Sequence, residues 1–294
     1  MQILILGAAA GGGVPQWNCG CRNCADARKG HIPSLSQSSI AVSGDGLSWA
    51  VLNASPDIRD QLARAPQLAP EGLRGTPIEA IVLTNGDVDH VAGLLTLREK
   101  TAFDLYATAE IHAALAENPI MGVMDPELVA RKPFVLGQTI HAGGVAIECF
   151  AVPGKVPLYK EAGEVKTDEV SETTIGLMLR AEGRRVAYIP GCAAIPDDLL
   201  ERIAGADLLL FDGTVWENEE MPKMGAGQKT GRRMGHIPMS GPDGSMARFQ
   251  GFGGRKVYIH INNTNPVLQP EAPERKALEA AGWTLALDGM EITV

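Results

Sequence analysis

The sequence predicts an α/β protein built from two β-sheets covered by helices, and three observations predict it. Short apolar strands recur along the chain, helical periodicities fall between and after them, and no Pro/Gly/Ser linker divides the 294 residues into halves with separate cores. A chain of this length that is 45% hydrophobic can bury one large core. We therefore expect a single domain over residues 1–294, without a repeat of fixed period.

The strands follow in order as β-branched or Leu-rich runs bounded by turn residues: QILILG at 2–7, SSIAVSG at 38–44, SWAVLNA at 48–54, AIVLTN at 80–85, VAIECFAV at 145–152, TIGLMLR at 174–180 and RVAYIP at 185–190. DLLLFDGT adds an apolar strand ending in Asp212, and KVYIHI at 256–261 and TLALDGMEITV at 284–294 close the chain. Helical patterns fall at 57–65, 90–99, 109–117, 197–204 and 273–281. Two segments read as loops, the charged stretch 155–170 and the Gly-, Lys- and Arg-rich stretch 221–236. Long loops within a compact domain commonly carry function.

With 35 acidic against 26 basic residues the net charge is -9, which opposes non-specific attraction to nucleic acid or to anionic membrane. The longest apolar runs, ILILGAAA and DLLLF, fall far short of the roughly 20 residues of a membrane helix. The opening residues carry no Lys or Arg before the apolar stretch, unlike a secretory signal. The expectation is a cytoplasmic protein that partners neither nucleic acid nor membrane.

Five cysteines, three of them at Cys19, Cys21 and Cys24, are too bunched for a disulfide scaffold and point to metal. Their spacing in CGCRNC lets three thiolates converge on one tetrahedral ion, so a structural zinc loop is expected at about 15–31. Its fourth ligand stays open among His31, His236 and a group on the loop after His260. Cys149 and Cys192 read as small buried hydrophobes. The glycine run LGAAAGGGVP fails both nucleotide-loop patterns, because Gly13 stands where a P-loop needs Lys and Ala9 where a dinucleotide loop needs Gly. It reads as a tight turn with close backbone packing.

NGDVDH, residues 85–90, places Asp87, Asp89 and His90 between the end of a strand and a helix beginning at about Val91. A helix cap with a surface histidine is the competing reading, with the macrodipole favouring Asp89. Two further strand ends carry metal-competent side chains, Asp212 after DLLLF and His260 in KVYIHINNTNP. Three such ends in a chain with six histidines favour one shared site.

This order of features resembles the metallo-β-lactamase superfamily, which implies an αββα sandwich of two mixed sheets flanked by helices. Against that superfamily's H-x-H-x-D-H motif the chain has Asn85, Asp87, Asp89 and His90, and where a PGH turn is common it has Pro153, Gly154 and Lys155. Both imidazoles of the first metal half-site are absent, so one catalytic ion is expected, with Asp89, His90, Asp212 and His260 as its ligands and Asp87 assisting. Two imidazoles with carboxylates suit non-heme Fe(II) better than a zinc hydrolase.

Longer segments, LGAAAGGGVPQWNCGCRNC, TNGDVDHVAGLLTLRE, FDGTVW, MGHIPMSG and IHINNTNP, resemble a family of this superfamily that serves pyrroloquinoline quinone (PQQ) biosynthesis. The resemblance runs from residue 6 to 266. It implies an iron-dependent enzyme that uses dioxygen to hydroxylate the tyrosine ring of a Glu-Tyr product of a precursor peptide, working beside other PQQ biosynthesis proteins. On that reading Fe(II) is the catalytic ion, His236 is an acid/base, and Lys223, Lys229, Arg232 and Arg233 can bind substrate carboxylates. The alternatives are carriage of PQQ or its precursor towards the periplasm, and metal-dependent hydrolysis of a phosphodiester or ester.

Overall fold

Strands covered on both faces read as unbroken apolar runs, and many strands of this chain are of that kind. The computed structural model describes residues 1–163 and 165–294. In chain order its strands are β1 (Gln2–Gly7), β2 (Ser39–Ser43), β3 (Trp49–Leu52), β4 (Ile78–Val82), β5 (Phe103–Ala107), β6 (Val129–Pro133) and β7 (Thr139–Ala142). They continue as β8 (Val145–Gly154), β9 (Glu169–Ala181), β10 (Arg184–Ile189), β11 (Leu208–Asp212), β12 (Arg255–Ile259), β13 (Trp283–Leu285) and β14 (Glu291–Thr293).

Two mixed sheets result, in the orders β14-β1-β2-β3-β4-β5-β6 and β13-β12-β11-β10-β9-β8-β7. β3 to β6 pair in parallel in the first sheet and β10 to β13 in the second. One apolar cluster joins the sheets, uniting Ile5, Val42, Leu52 and Val82 with Ile147, Leu177, Tyr188, Leu210 and Ile259. A second packs the outer face of the first sheet, through Leu4, Trp49 and Leu105, against the helices Ile58–Arg64 and Ala109–Ala116. A fully buried Leu or Ile contributes about 1.5–3 kcal/mol through apolar burial, so these clusters dominate the stabilisation.

The helices that position the site are α1 (Arg22–Arg28), α2 (Ile58–Arg64), α3 (Val88–Val91), α4 (Ala109–Ala116) and α5 (Asp197–Ile203). The helix expected over 90–99 starts instead at Val88 and tightens after one turn into 3-10 geometry over Ala92–Leu95. Gly93 in this turn lets the backbone pass close to the 54–55 segment, since a Cβ there would lie 2.1 Å from the Ser55 carbonyl oxygen. The single final strand expected over 284–294 is two strands, one in each sheet. The turn between them is held by Asp288, whose carboxylate accepts the backbone N–H groups of Ala8 and Ser36.

β5, β6 and β7 lay outside the predicted strands. β6, VARKP, is an outermost strand with mostly exposed side chains, a charged edge ending in Pro that discourages further pairing and hides its strand pattern. Both expected loops lack sheet structure over most of their length, and position 164 of the first lies outside the described residues.

The two sheets are bridged where their strands end. Beyond β1, Ala8 and Ala10 exchange backbone hydrogen bonds with Ile261, which follows β12, and Asn85 bridges to Thr174 of β9. The carboxyl ends of β4, β11 and β12 thereby open onto one crevice, the usual position for a ligand in an open α/β sheet.

Candidate metal centre

The turn after β4 carries Asn85, Asp87, Asp89 and His90 into this crevice. Asp87 is the residue capping α3, rather than Asp89, but its carboxylate accepts the Leu158 N–H at 3.0 Å instead of a helix amide. Asn85 makes the decisive contacts. Its Oδ1 accepts the Asp87 N–H at 2.9 Å and lies 2.8 Å from His90 Nδ1. A carbonyl oxygen can only accept, so the His90 proton sits on Nδ1 and the Nε2 lone pair is bare. Among the described residues that Nε2 has no hydrogen-bond partner although His90 is 1% exposed. An unpaired polar atom so deep is costly unless something else satisfies it. Burial pushes the His90 imidazole down to about 4, against the pull of Asp89, so the ring is neutral.

His260 arrives from the end of β12 with a left-handed backbone, φ 57°, a conformation costly for a non-glycine residue and common at functional sites. Thr214, two residues past Asp212, orients its ring. The Thr214 hydroxyl lies 2.7 Å from Asp212 Oδ1 and 2.7 Å from His260 Nδ1. Its one proton goes to the carboxylate, so the oxygen accepts Nδ1–H and turns His260 Nε2 towards Asp89 Oδ2, 3.1 Å away. His90 Nε2 lies 3.9 Å from the same oxygen. Burial opposes charge on both partners. Yet His90 and His260 hold Asp89 well below the usual carboxylate range, and Asp89 with Asp212 raises His260. Asp89, His90 and His260 thus present one carboxylate and two imidazole nitrogens mutually within 4.8 Å, a donor set that fits a metal ion.

Asp212 and His236 form a second group with His260. Asp212 is fully buried, and all four of its acceptor positions are used: Oδ1 by the Thr214 N–H and hydroxyl, Oδ2 by the Cys192 N–H and His236 Nδ1. Burial alone would raise its carboxyl, but His236 and His260 outweigh it and keep Asp212 ionised. The four expected ligands therefore fall into two triads sharing His260, with Asp212 outside the group that contains Asp89 and His90. His236 stacks on His260 at 5.1 Å between ring centroids and has Nδ1 fixed by Asp212, leaving Nε2 as its basic atom.

The glycine run lines the same crevice. Gly11 lies beside Asp89, with room for a Cβ in ordinary contact 3.5 Å from Oδ2, whereas Gly12 and Gly13 adopt φ 95° and 69°, so the turn needs glycine there for conformation.

The basic residues of the second loop divide. Arg233 and Lys229 pair with Glu161 of the first loop at 3.0 and 3.3 Å, and Lys155 joins them at 3.2 Å. Burial would raise Glu161, but these cations bring it down to about 2, so it remains an anion facing three positive groups. Lys155 also lies 3.9 Å from Asp87, whose carboxyl burial raises. Lys223 pairs instead with Glu217, beside a separate 490 Å³ cavity, and Arg232 is exposed. Lys155 is not among the basic residues expected to face the crevice. Its signal was present in the sequence, a lysine where the related motif carries histidine.

Cys19, Cys21 and Cys24 converge within 4.8 Å of one another, and Cys149 and Cys192 are buried as expected. His31 stands apart on Asp26, exposed, and His236 belongs to the other site. The loop after His260 supplies the neighbour: Asn263 Nδ2 lies 3.1, 3.7 and 3.3 Å from the sulfurs of Cys19, Cys21 and Cys24. Burial and the adjoining thiols push Cys21 up to about 11. Cys19 moves the other way, because hydrogen bonds from Cys21 and its other neighbours outweigh burial. Three thiolates this close need a cation to coexist.

A two-sheet sandwich with Asp and His at the ends of β4, β11 and β12 defines a protein of the metallo-β-lactamase class. The family profile described as a β-lactamase superfamily domain matches residues 48–261. Within that class the chain belongs to the coenzyme PQQ synthesis protein B family. It is 55% identical to the protein of that name from Ruegeria pomeroyi, with 100% of each chain covered. It is similar also to the crystal structure of Zn(2+)-bound PqqB from Methylobacterium extorquens, at 53% identity and a TM-score of 0.98 over 100% of both chains. A diphosphatase of the PhnP family shares the fold alone, at 21% identity and a TM-score of 0.69 over 100% of this chain and 97% of the other. No helix among the described residues is long and apolar enough to cross a membrane.

Proposed function

We propose that this protein acts in PQQ biosynthesis as an iron-dependent oxygenase that hydroxylates the tyrosine ring of a Glu-Tyr dipeptide derived from a precursor peptide. One observation carries the reading: the buried, unpaired Nε2 of His90 faces Asp89 beside His260 Nε2, while Asn85 and Thr214 hold the opposite ring nitrogens. Two imidazoles and one carboxylate form the facial set that suits Fe(II) and leaves positions open. Asp89, His90 and His260 would hold the ion, with Asp212 beside it. Bound there, Fe(II) supplies the one-electron chemistry that dioxygen needs to react with a phenol ring.

The chain's own residues do the rest. Asp89 and His260 lie within hydrogen-bond distance, so a cation held between them would replace a proton there, and metal loading would depend on pH. Asp212 fixes the His236 tautomer, so Nε2 is the atom that would take the phenol proton and return it. Asp87, held by Leu158 and Lys155, lines the entrance and assists in orienting substrate. Lys155, Lys229 and Arg233 outnumber Glu161 and can receive the dipeptide's carboxylates, with Arg232 at the rim. Cys19, Cys21 and Cys24 would hold a structural zinc, with Asn263 on the fourth side. We place the protein in the cytoplasm, where other PQQ biosynthesis proteins would supply its peptide.

Protein loaded anaerobically with Fe(II), then given dioxygen and ascorbate as the reductant that carries the second oxygen atom to water, should consume dioxygen with Glu-Tyr and yield a product carrying added ring oxygen by mass spectrometry. Turnover of a phosphodiester by zinc-loaded protein, with Glu-Tyr untouched, would establish the hydrolase instead. Tight binding of PQQ with neither substrate changed would establish a carrier.

A further inference from the structure

The cysteine loop and the crevice share a polar connection that neither site needs by itself. Asn263 stands three residues beyond His260, and the cysteine loop grips it twice. Its carboxamide faces all three sulfurs, and its carbonyl accepts the Asn23 side chain at 2.9 Å and the Cys21 thiol at 3.6 Å. Asn23, buried in α1, donates a second bond to the Asn265 carbonyl at 2.9 Å and accepts one from Gln269. The Asn265 side chain then donates to the Gly213 carbonyl at 3.1 Å and the Thr214 carbonyl at 3.4 Å. Thr214 is the residue whose hydroxyl aims His260. Buried carboxamides need most of their hydrogen bonds met, so this chain of contacts has two ends and little slack.

We infer that the cysteine site is a positioning device for the metal centre, acting through Asn263 and Asn265 to hold His260 and Thr214 in the ligating arrangement. This rests on the reading of Asp89, His90 and His260 as metal ligands. His260 supplies the reason a brace is needed. A histidine in left-handed backbone relaxes to an ordinary conformation unless the flanking chain forbids it, and here β12 fixes one side while the cysteine loop fixes the other. A ligand's supporting contacts commonly set metal affinity by one to two orders of magnitude. Asn263 is thus a positioning residue for a histidine it does not touch.

The test uses whole protein with zinc retained in the cysteine site, titrated with Co(II) and followed by the visible absorption of the imidazole-carboxylate centre. Asn263→Ala should bind Co(II) there at least about tenfold more weakly, with an altered spectrum, while far-UV circular dichroism is unchanged. Stripping the cysteine site of the unmutated protein with a mercurial thiol reagent should produce the same spectral change. Asn118→Ala, which loses a carboxamide bonded to the Ala114 carbonyl on α4, should leave both readings alone. Affinity and spectrum unchanged in Asn263→Ala and after thiol stripping would overturn the inference. Should Asn263→Ala fail to fold, the stripped unmutated protein decides the matter by itself. His90→Ala separates the two readings: if it keeps full Co(II) affinity, the ligand assignment fails rather than the coupling.

Discussion

At the scale of single residues, the site is governed by groups that need never touch metal or substrate. Asn85 holds the His90 tautomer, and Asn85→Ala should weaken metal binding at the centre by roughly 10- to 100-fold with little change in folding, read by metal titration beside circular dichroism. Glu220 is a second case, buried between the Trp216 N–H and the Thr264 hydroxyl. Burial raises its carboxyl to about 7. The folded state favours the protonated form, so its stabilising contribution is complete below the unfolded value near 4.5 and is lost as pH rises through about 7. Glu220→Gln should remove up to roughly 3 kcal/mol of this pH dependence. Urea midpoints of the two proteins at about pH 5 and about pH 8 measure it; parallel shifts would contradict the assignment. Asp89, His90, Asp212 and His260 were legible because strand ends advertise themselves in sequence. Thr214 and Asn263 were not, because their roles depend on β11, β12 and the cysteine loop meeting in space.

At the scale of elements, the two predicted loops are clasped to each other by Glu161, Lys155, Lys229 and Arg233. Arg233 sits in a one-turn helix capped by the Thr230 side chain, so its placement is set by backbone as well as charge. Arg233→Ala should raise KM for a Glu-Tyr dipeptide about tenfold and change kcat little, the pattern of lost uniform binding. An equal fall in kcat and kcat/KM would instead put Arg233 in the chemical step. Loop composition announced Lys229 and Arg233 but neither Lys155 nor their common anion, since Glu161 is one of several acidic residues in its stretch. Strand legibility followed burial: β1 to β4 were visible as apolar runs, whereas β6 hid behind exposed side chains. The break in the final segment was written in the sequence, since Asp288-Gly289 is a turn signal and shifts the apolar alternation from Leu285 and Leu287 to Met290 and Ile292, where the chain changes sheet.

At the scale of the molecule, one apolar cluster spans both sheets. Unfolding in urea should accordingly be one cooperative transition, coincident by far-UV circular dichroism and tryptophan fluorescence. Leu210, fully buried in β11 between β10 and β12, should cost about 3 kcal/mol as Leu210→Ala and shift both probes together. Two separated transitions would divide the chain. The double duty of Asn85 also bears on how such a centre can change over time. Where the wider superfamily's motif begins with histidine, this chain has an amide that both caps the turn and steers its neighbour's ring. Reinstating histidine at that point would withdraw the steering before a partner ion could gain a full set of donors. A two-ion centre is thus not one substitution away from this one, since Asn85→His alone would release the His90 ring that the existing site depends on.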